Sequence, residues 1–115
     1  MLDKYFLKYE GISEPVGVLN LDFDQNEFSI DVNSKYNGPA PSFIRHSDAP
    51  MPIGGRIKLW VLERAPEPNY EFIDTLIKKA GLDKYDAYGF FKYNSGRFLT
   101  DKFFTVPITE DSWRQ

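Results

Sequence analysis

Asp22-Phe23-Asp24-Gln25-Asn26 places oxygen ligands at the first, third and fifth positions of what could be a calcium-binding loop. Such a loop needs glycine at its sixth position and a bidentate glutamate at its twelfth, where this chain has Glu27 and Asn33. A hairpin turn is the better reading. His46 is the only histidine and cysteine is absent, which excludes multi-histidine sites, cysteine-based zinc sites and thiol nucleophiles. A nucleophilic triad would have to be assembled from chain neighbours such as Ser47 and Asp48, a spacing that does not favour it, so His46 reads as a loop side chain. Gly54-Gly55-Arg56 could cradle an anion ahead of a helix, but neither a Walker lysine nor a GxGxxG pattern accompanies it. The 17 acidic residues allow some carboxylate pair to meet for acid-base work, and nothing singles one out. The expectation is a protein that is not an enzyme and carries no cofactor or metal.

Tyr88-Gly89-Phe90-Phe91-Lys92-Tyr93 offers different chemistry, because it copies most of the aromatic half of an RNP1 motif, whose exposed rings stack on RNA bases. That motif works only as the third strand of a βαββαβ sheet. Here the 22 residues after Tyr93 hold one strand pattern and no helix pattern. Asp86-Ala87 replaces the leading basic-glycine pair, putting negative charge where a phosphate contact belongs. The net charge is −3, with −4 on residues 1–50 and +1 on residues 51–115, so no basic patch awaits a polyanion. Single-stranded nucleic-acid binding through this stretch is kept as an alternative, as is a small carboxylate-dependent enzyme. The rings are expected to divide between core and a protein-contact surface.

The elements that would position these residues belong to one domain spanning residues 1–115. Tyr5, Leu7 and Tyr9 alternate with polar neighbours, as do Leu19, Leu21 and Phe23, and Phe28, Ile30 and Val32. This is the period of half-buried strands, and Asp24-Gln25-Asn26 joins the second and third sets in a hairpin. Residues 37–55 are punctuated by Gly38, Pro39, Pro41, Pro50, Pro52, Gly54 and Gly55 and read as a long loop. Residues 56–64 fit either a strand or a helix, with helix preferred. Phe72, Ile73, Leu76, Ile77 and Ala80 form a helical stripe over 69–80, supported by Glu71 and Asp74 early, Lys78 and Lys79 late, and Gly81 as cap. A short helix begins at Asp86 and stops at Asn94-Ser95-Gly96, and 102–108 closes as a strand. The fold expected is α+β, a small antiparallel sheet of N-terminal hairpin strands and a C-terminal strand with two or three short helices. Residues 1–10 are too charged for a signal peptide and no run suits a membrane helix, so a cytoplasmic protein is expected.

The series Trp60, Arg64, Pro66, Ile73, Leu76, Gly81-Leu82, Tyr85-Asp86, Gly96-Arg97 and Asp101 with Phe103 resembles a pattern in small bacterial proteins. More distantly, over residues 56–106, it is similar to the segment preceding the kinase core of HipA-type toxins. The resemblance implies a β-rich module with helices that contacts a partner protein in a toxin–antitoxin-like setting. Kinase activity is not implied, because neither a catalytic-loop nor a metal-binding signature is present. The chain departs from the pattern at Asn69, where the small proteins often carry arginine, and at Asp101-Lys102-Phe103-Phe104, where their ending is of an Asp-Tyr-Trp type.

Aromatic residues make up 17% of the chain, enough to leave rings for a surface once the core is filled. Trp60, Arg64, Tyr70, Tyr85, Tyr88, Tyr93, Arg97 and Trp113 are of the types that dominate protein interfaces and form the candidate contact set. The expected function is a non-enzymatic module that modulates or inhibits a partner protein. Its gene would sit in a toxin–antitoxin-like or mobile-element locus, the latter including phage anti-defence or anti-CRISPR-like proteins.

Overall fold

The computed structural model describes residues 1–45 and 50–109; His46, Ser47, Asp48 and Trp113 lie outside them. Strand-period alternation produces β1 (Asp3–Tyr9), β2 (Gly17–Asp22) and β3 (Glu27–Val32), all antiparallel. The β2–β3 hairpin turns where Asp22 Oδ1 accepts the Gln25 N–H at 3.0 Å and Asn26 takes a φ of +54°. The Asp22–Asn26 segment is thus a turn. Four helices follow among the described residues: α1 (Ser42–Arg45), α2 (Ile53–Glu63), α3 (Ile73–Lys79) and α4 (Ala87–Tyr93). The last strand, β4 (Phe103–Pro107), pairs with β1 and completes an antiparallel sheet of order β3-β2-β1-β4. The architecture is α+β.

Register places Tyr5 opposite Leu19, Leu7 opposite Gly17 and Thr105, and Tyr9 opposite Phe103, so these residues share the inner face. Tyr5, Leu7, Leu19, Leu21 and Phe103 there meet Phe43 of α1, Ile57, Trp60 and Val61 of α2, and Phe91 of α4 in one core. Lys4, Lys8, Asn20 and Ser29 occupy the opposite face. The ambiguous 56–64 segment is helical because Ile57, Trp60 and Val61 then fall on one buried stripe. Gly54, in the first turn of α2, lets that turn lie against β3: a Cβ there would stand 3.0 Å from the Phe28 carbonyl oxygen. The Gly54-Gly55 pair therefore serves close packing, and Arg56 ties the preceding segment by donating to the Met51 and Phe43 carbonyls.

Two elements differ from the sequence reading. The segment expected as loop over 37–55 contains α1 and the start of α2, because Pro41 and Pro52 begin helices: their carbonyls accept the Arg45 and Arg56 N–H groups. The helix expected over 69–80 starts only at Ile73, since Glu67–Tyr70 and Tyr70–Ile73 close tight turns behind Pro66 and Pro68. It also has no buried residue: Ile73, Leu76, Ile77 and Ala80 are half-buried, and Phe72 is exposed.

The RNP1-like stretch forms α4, a helix, and Phe90 and Phe91 are only 2% and 1% exposed. Phe91 packs edge-on to Tyr5 and Trp60. Tyr88 is half-buried, and its hydroxyl donates to Asp3 Oδ2 at 2.6 Å. Since a carboxylate only accepts, Tyr5 is the donor in the 2.7 Å contact between the two phenols. Burial, followed by these hydrogen bonds, pushes the Tyr88 phenol far above its ordinary pKa.

The helix ends with the Gly96 N–H bonded to the Phe91 carbonyl and the Ser95 N–H to that of Lys92. Gly96 holds a φ of +67° with Thr105 packed against it, a position that suits no other residue. Beyond it, three outward-facing groups of β4 are taken: the Phe103 N–H by Asp101, the Phe103 carbonyl by Arg64 and the Thr105 N–H by the Ser95 carbonyl. Pro107, next in that row, has no N–H.

Phe91→Ala should destabilise the protein by about 3–5 kcal/mol, and Tyr88→Phe by about 1–2 kcal/mol, through cavity formation and loss of the phenol relay respectively. Urea unfolding with an unchanged m-value checks both.

Candidate protein-contact surface

Arg64, the C-terminal cap of α2, is buried, with its guanidinium 4.1 Å from the Trp60 ring centroid and 5.5 Å from that of Phe98. Four of its five N–H groups are engaged. Nε donates to the Gly96 carbonyl at 2.5 Å, Nη1 and Nη2 to the two Asp101 carboxylate oxygens at 2.8 and 2.6 Å, and Nη2 also to the Phe103 carbonyl at 3.2 Å. One side chain therefore fixes both ends of the 96–101 loop. Burial opposes ionisation of Asp101, but the hydrogen bonds from Arg64 and the Phe103 N–H, with the guanidinium charge, outweigh it. The carboxyl is left below its ordinary value of 3.8.

The loop so held presents Phe98 and Leu99 outward, Leu99 fully exposed. With Ala65, Pro66, Asn94 and Arg97 they line a depression of about 500 Å³ whose base is the Arg64 side chain. Pro66 and Asn94 also border a second one of about 110 Å³, completed by Leu76 and Lys79 of α3 and Phe90 and Tyr93 of α4. The two adjoin, forming one groove. Tyr85 braces its rim: the hydroxyl donates to the Pro66 carbonyl at 2.7 Å and the ring leans on Phe90. Burial raises the Tyr85 phenol's pKa, helped by the negative charges of Asp86 and Glu67.

The candidate contact residues thus divide. Trp60 and Arg64 are interior, which corrects their place on a contact surface: Trp60 packs edge-on to Phe43, Phe91 and Phe103 beneath the guanidinium. Tyr88 is half-buried and committed to Tyr5 and Asp3. Tyr93 and Arg97 are exposed and line the groove, Arg97 also stacking at 4.5 Å on Phe104 with Glu10 3.8 Å away. Tyr70 is exposed with Phe72 beside it, on the connection into α3, and lines neither depression. Phe98, Leu99, Pro66 and Leu76 were not among the candidates. Phe98 and Leu99 gave a faint signal, an apolar pair in a loop between a glycine cap and an aspartate that belongs to no helix or strand period, and Leu76 was read as part of the helical stripe.

No protein-family model, curated protein or solved structure matches the chain. No helix of the described residues is long and apolar enough to cross a membrane.

Asp101→Ala should cost about 3 kcal/mol, the lower end for breaking a buried pair, because the Asp101 side chain keeps 29% exposure. The pH dependence follows from the depressed carboxyl. Its stabilisation is complete above the ordinary carboxylate value and is lost as pH falls towards the folded-state value. Wild-type stability should therefore drop below about pH 4 by an increment that Asp101→Asn lacks, as read from urea midpoints across an acid series.

Proposed function

We propose that the chain is a non-enzymatic protein-binding module that acts in the cytoplasm by occupying a partner protein. The observation that carries this is the fully exposed Leu99, beside Phe98, at the mouth of a groove whose wall is locked by Arg64. A large apolar side chain held out on a loop pinned at both ends adds contact area at reduced ordering cost, as interface anchors do. The sequence likeness supplies the setting: a modulator or inhibitor from a toxin–antitoxin-like or mobile-element locus, such as an anti-defence or anti-CRISPR-like protein. Base stacking by the 88–93 stretch has no comparable support, since Phe90 and Phe91 lie in the core.

A tagged pull-down from the source cell's lysate, with and without nuclease, tests this against Leu99→Asp. The expected result is a stoichiometric protein partner that survives nuclease and is lost with the variant, whose stability stays within about 0.5 kcal/mol of wild type. Retention that vanishes with nuclease, an empty eluate, or a partner indifferent to Leu99→Asp would overturn it.

A further inference from the structure

The groove beside α4 has a polarity that its apolar lining conceals at first. Its charged lining residues are Arg64, Arg97 and Lys79, all basic. Glu63 and Glu67 flank Arg64 and Pro66 in the chain but line neither depression. Four of the five Arg64 N–H groups are held by Asp101 and the Gly96 and Phe103 carbonyls, which leaves Arg97 and Lys79 as the lining cations outside that clamp. Arg97 borders the larger depression and Lys79 the smaller, so each apolar recess has one basic residue at its edge. The Arg97 contact with Glu10 is long, at 3.8 Å, between side chains more than half exposed, and such a pair is easily exchanged for a better one.

From this charge complementarity we infer that the groove takes an acidic amphipathic segment of a partner protein. Two apolar side chains on one face of the segment enter the two recesses, and flanking Asp or Glu carboxylates meet Arg97 and Lys79. This rests on the protein-binding reading above and adds the chemistry of what is bound. The recesses differ in size, about 500 and 110 Å³, so the larger takes the bulkier of the two apolar side chains. The negative net charge of the whole chain repels an acidic partner at long range, so recognition depends on local contacts, and the exposed pairs made by Arg97 and Lys79 weaken with added salt.

The test is selection of a random dodecapeptide display library against the full chain, with the retained peptides synthesised and measured by fluorescence anisotropy. The expected result is enrichment of acidic peptides with two apolar residues. Their binding should be abolished by Leu99→Asp and weakened roughly three- to tenfold by each of Lys79→Glu and Arg97→Glu. Circular dichroism on each variant confirms that it is folded, and Lys79→Glu stands alone as the check should Arg97→Glu disturb its contact with Phe104. An empty selection, enrichment of basic or uncharged peptides, or acidic peptides indifferent to both charge reversals would overturn the inference. So would a dimer in sedimentation equilibrium that Leu99→Asp dissociates, which would make a second copy the occupant. A cellular partner lost with Leu99→Asp but unaffected by the charge reversals would overturn this inference while leaving the protein-binding reading intact.

Discussion

A buried guanidinium is the constraint around which the C-terminal half is organised. Removing Arg64 from water is costly unless its N–H groups are paired, and the groups that pair them come from three separate places: the Gly96 carbonyl after α4, the Asp101 side chain and the Phe103 carbonyl on β4. Satisfying one cation thus decides how α2, the end of α4 and the last strand meet. Trp60, one turn earlier on α2, supplies the aromatic face below it, so the charge sits in a site that is polar at its edge and apolar beneath. The loop pinned by this cation carries Leu99 on its outside, beside the depression that Arg64 helps to line.

Much of the fold was legible because two local periods were unambiguous. Alternation through Tyr5 to Tyr9, Leu19 to Phe23 and Phe28 to Val32 located the strands, with Phe23 itself falling in the turn, and the turn chemistry of Asp22 to Asn26 located the hairpin. The segment from 37 to 55 was less so, because proline carries two meanings: it interrupts a sheet, and it begins a helix, as Pro41 and Pro52 do here. The stripe over 69–80 was read as one helix, of which Ile73–Lys79 is helical, and periodicity says that a face is apolar and not how deeply it is buried. The helix with the most regular pattern turned out to be the one without a buried residue.

The site was less legible than the fold. Arg64 and Trp60 are residue types that recur in interfaces, and only tertiary pairing with Asp101, 37 residues away, reveals that they serve the interior. Trp60, Arg64, Gly96, Asp101 and Phe103 meet at this one clamp. Tyr88 misleads in the same way: within 88–93 it looks like a stacking ring, but Asp3, at the far end of the chain, claims its hydroxyl. Leu99 escaped notice for the opposite reason, because a single apolar residue in a loop has no period to betray it.

The row of backbone groups along the outside of β4 has a consequence of a different kind. With the Phe103 and Thr105 N–H groups already donated and Pro107 lacking one, an incoming strand finds no free donor on that border of the sheet. The protein is thereby guarded on that side against edge-to-edge aggregation and strand exchange, the ordinary hazards of a small open sheet. It also means that a partner approaching this flank can pair with β4 only through the strand's carbonyls, and its side chains must supply the rest of the recognition.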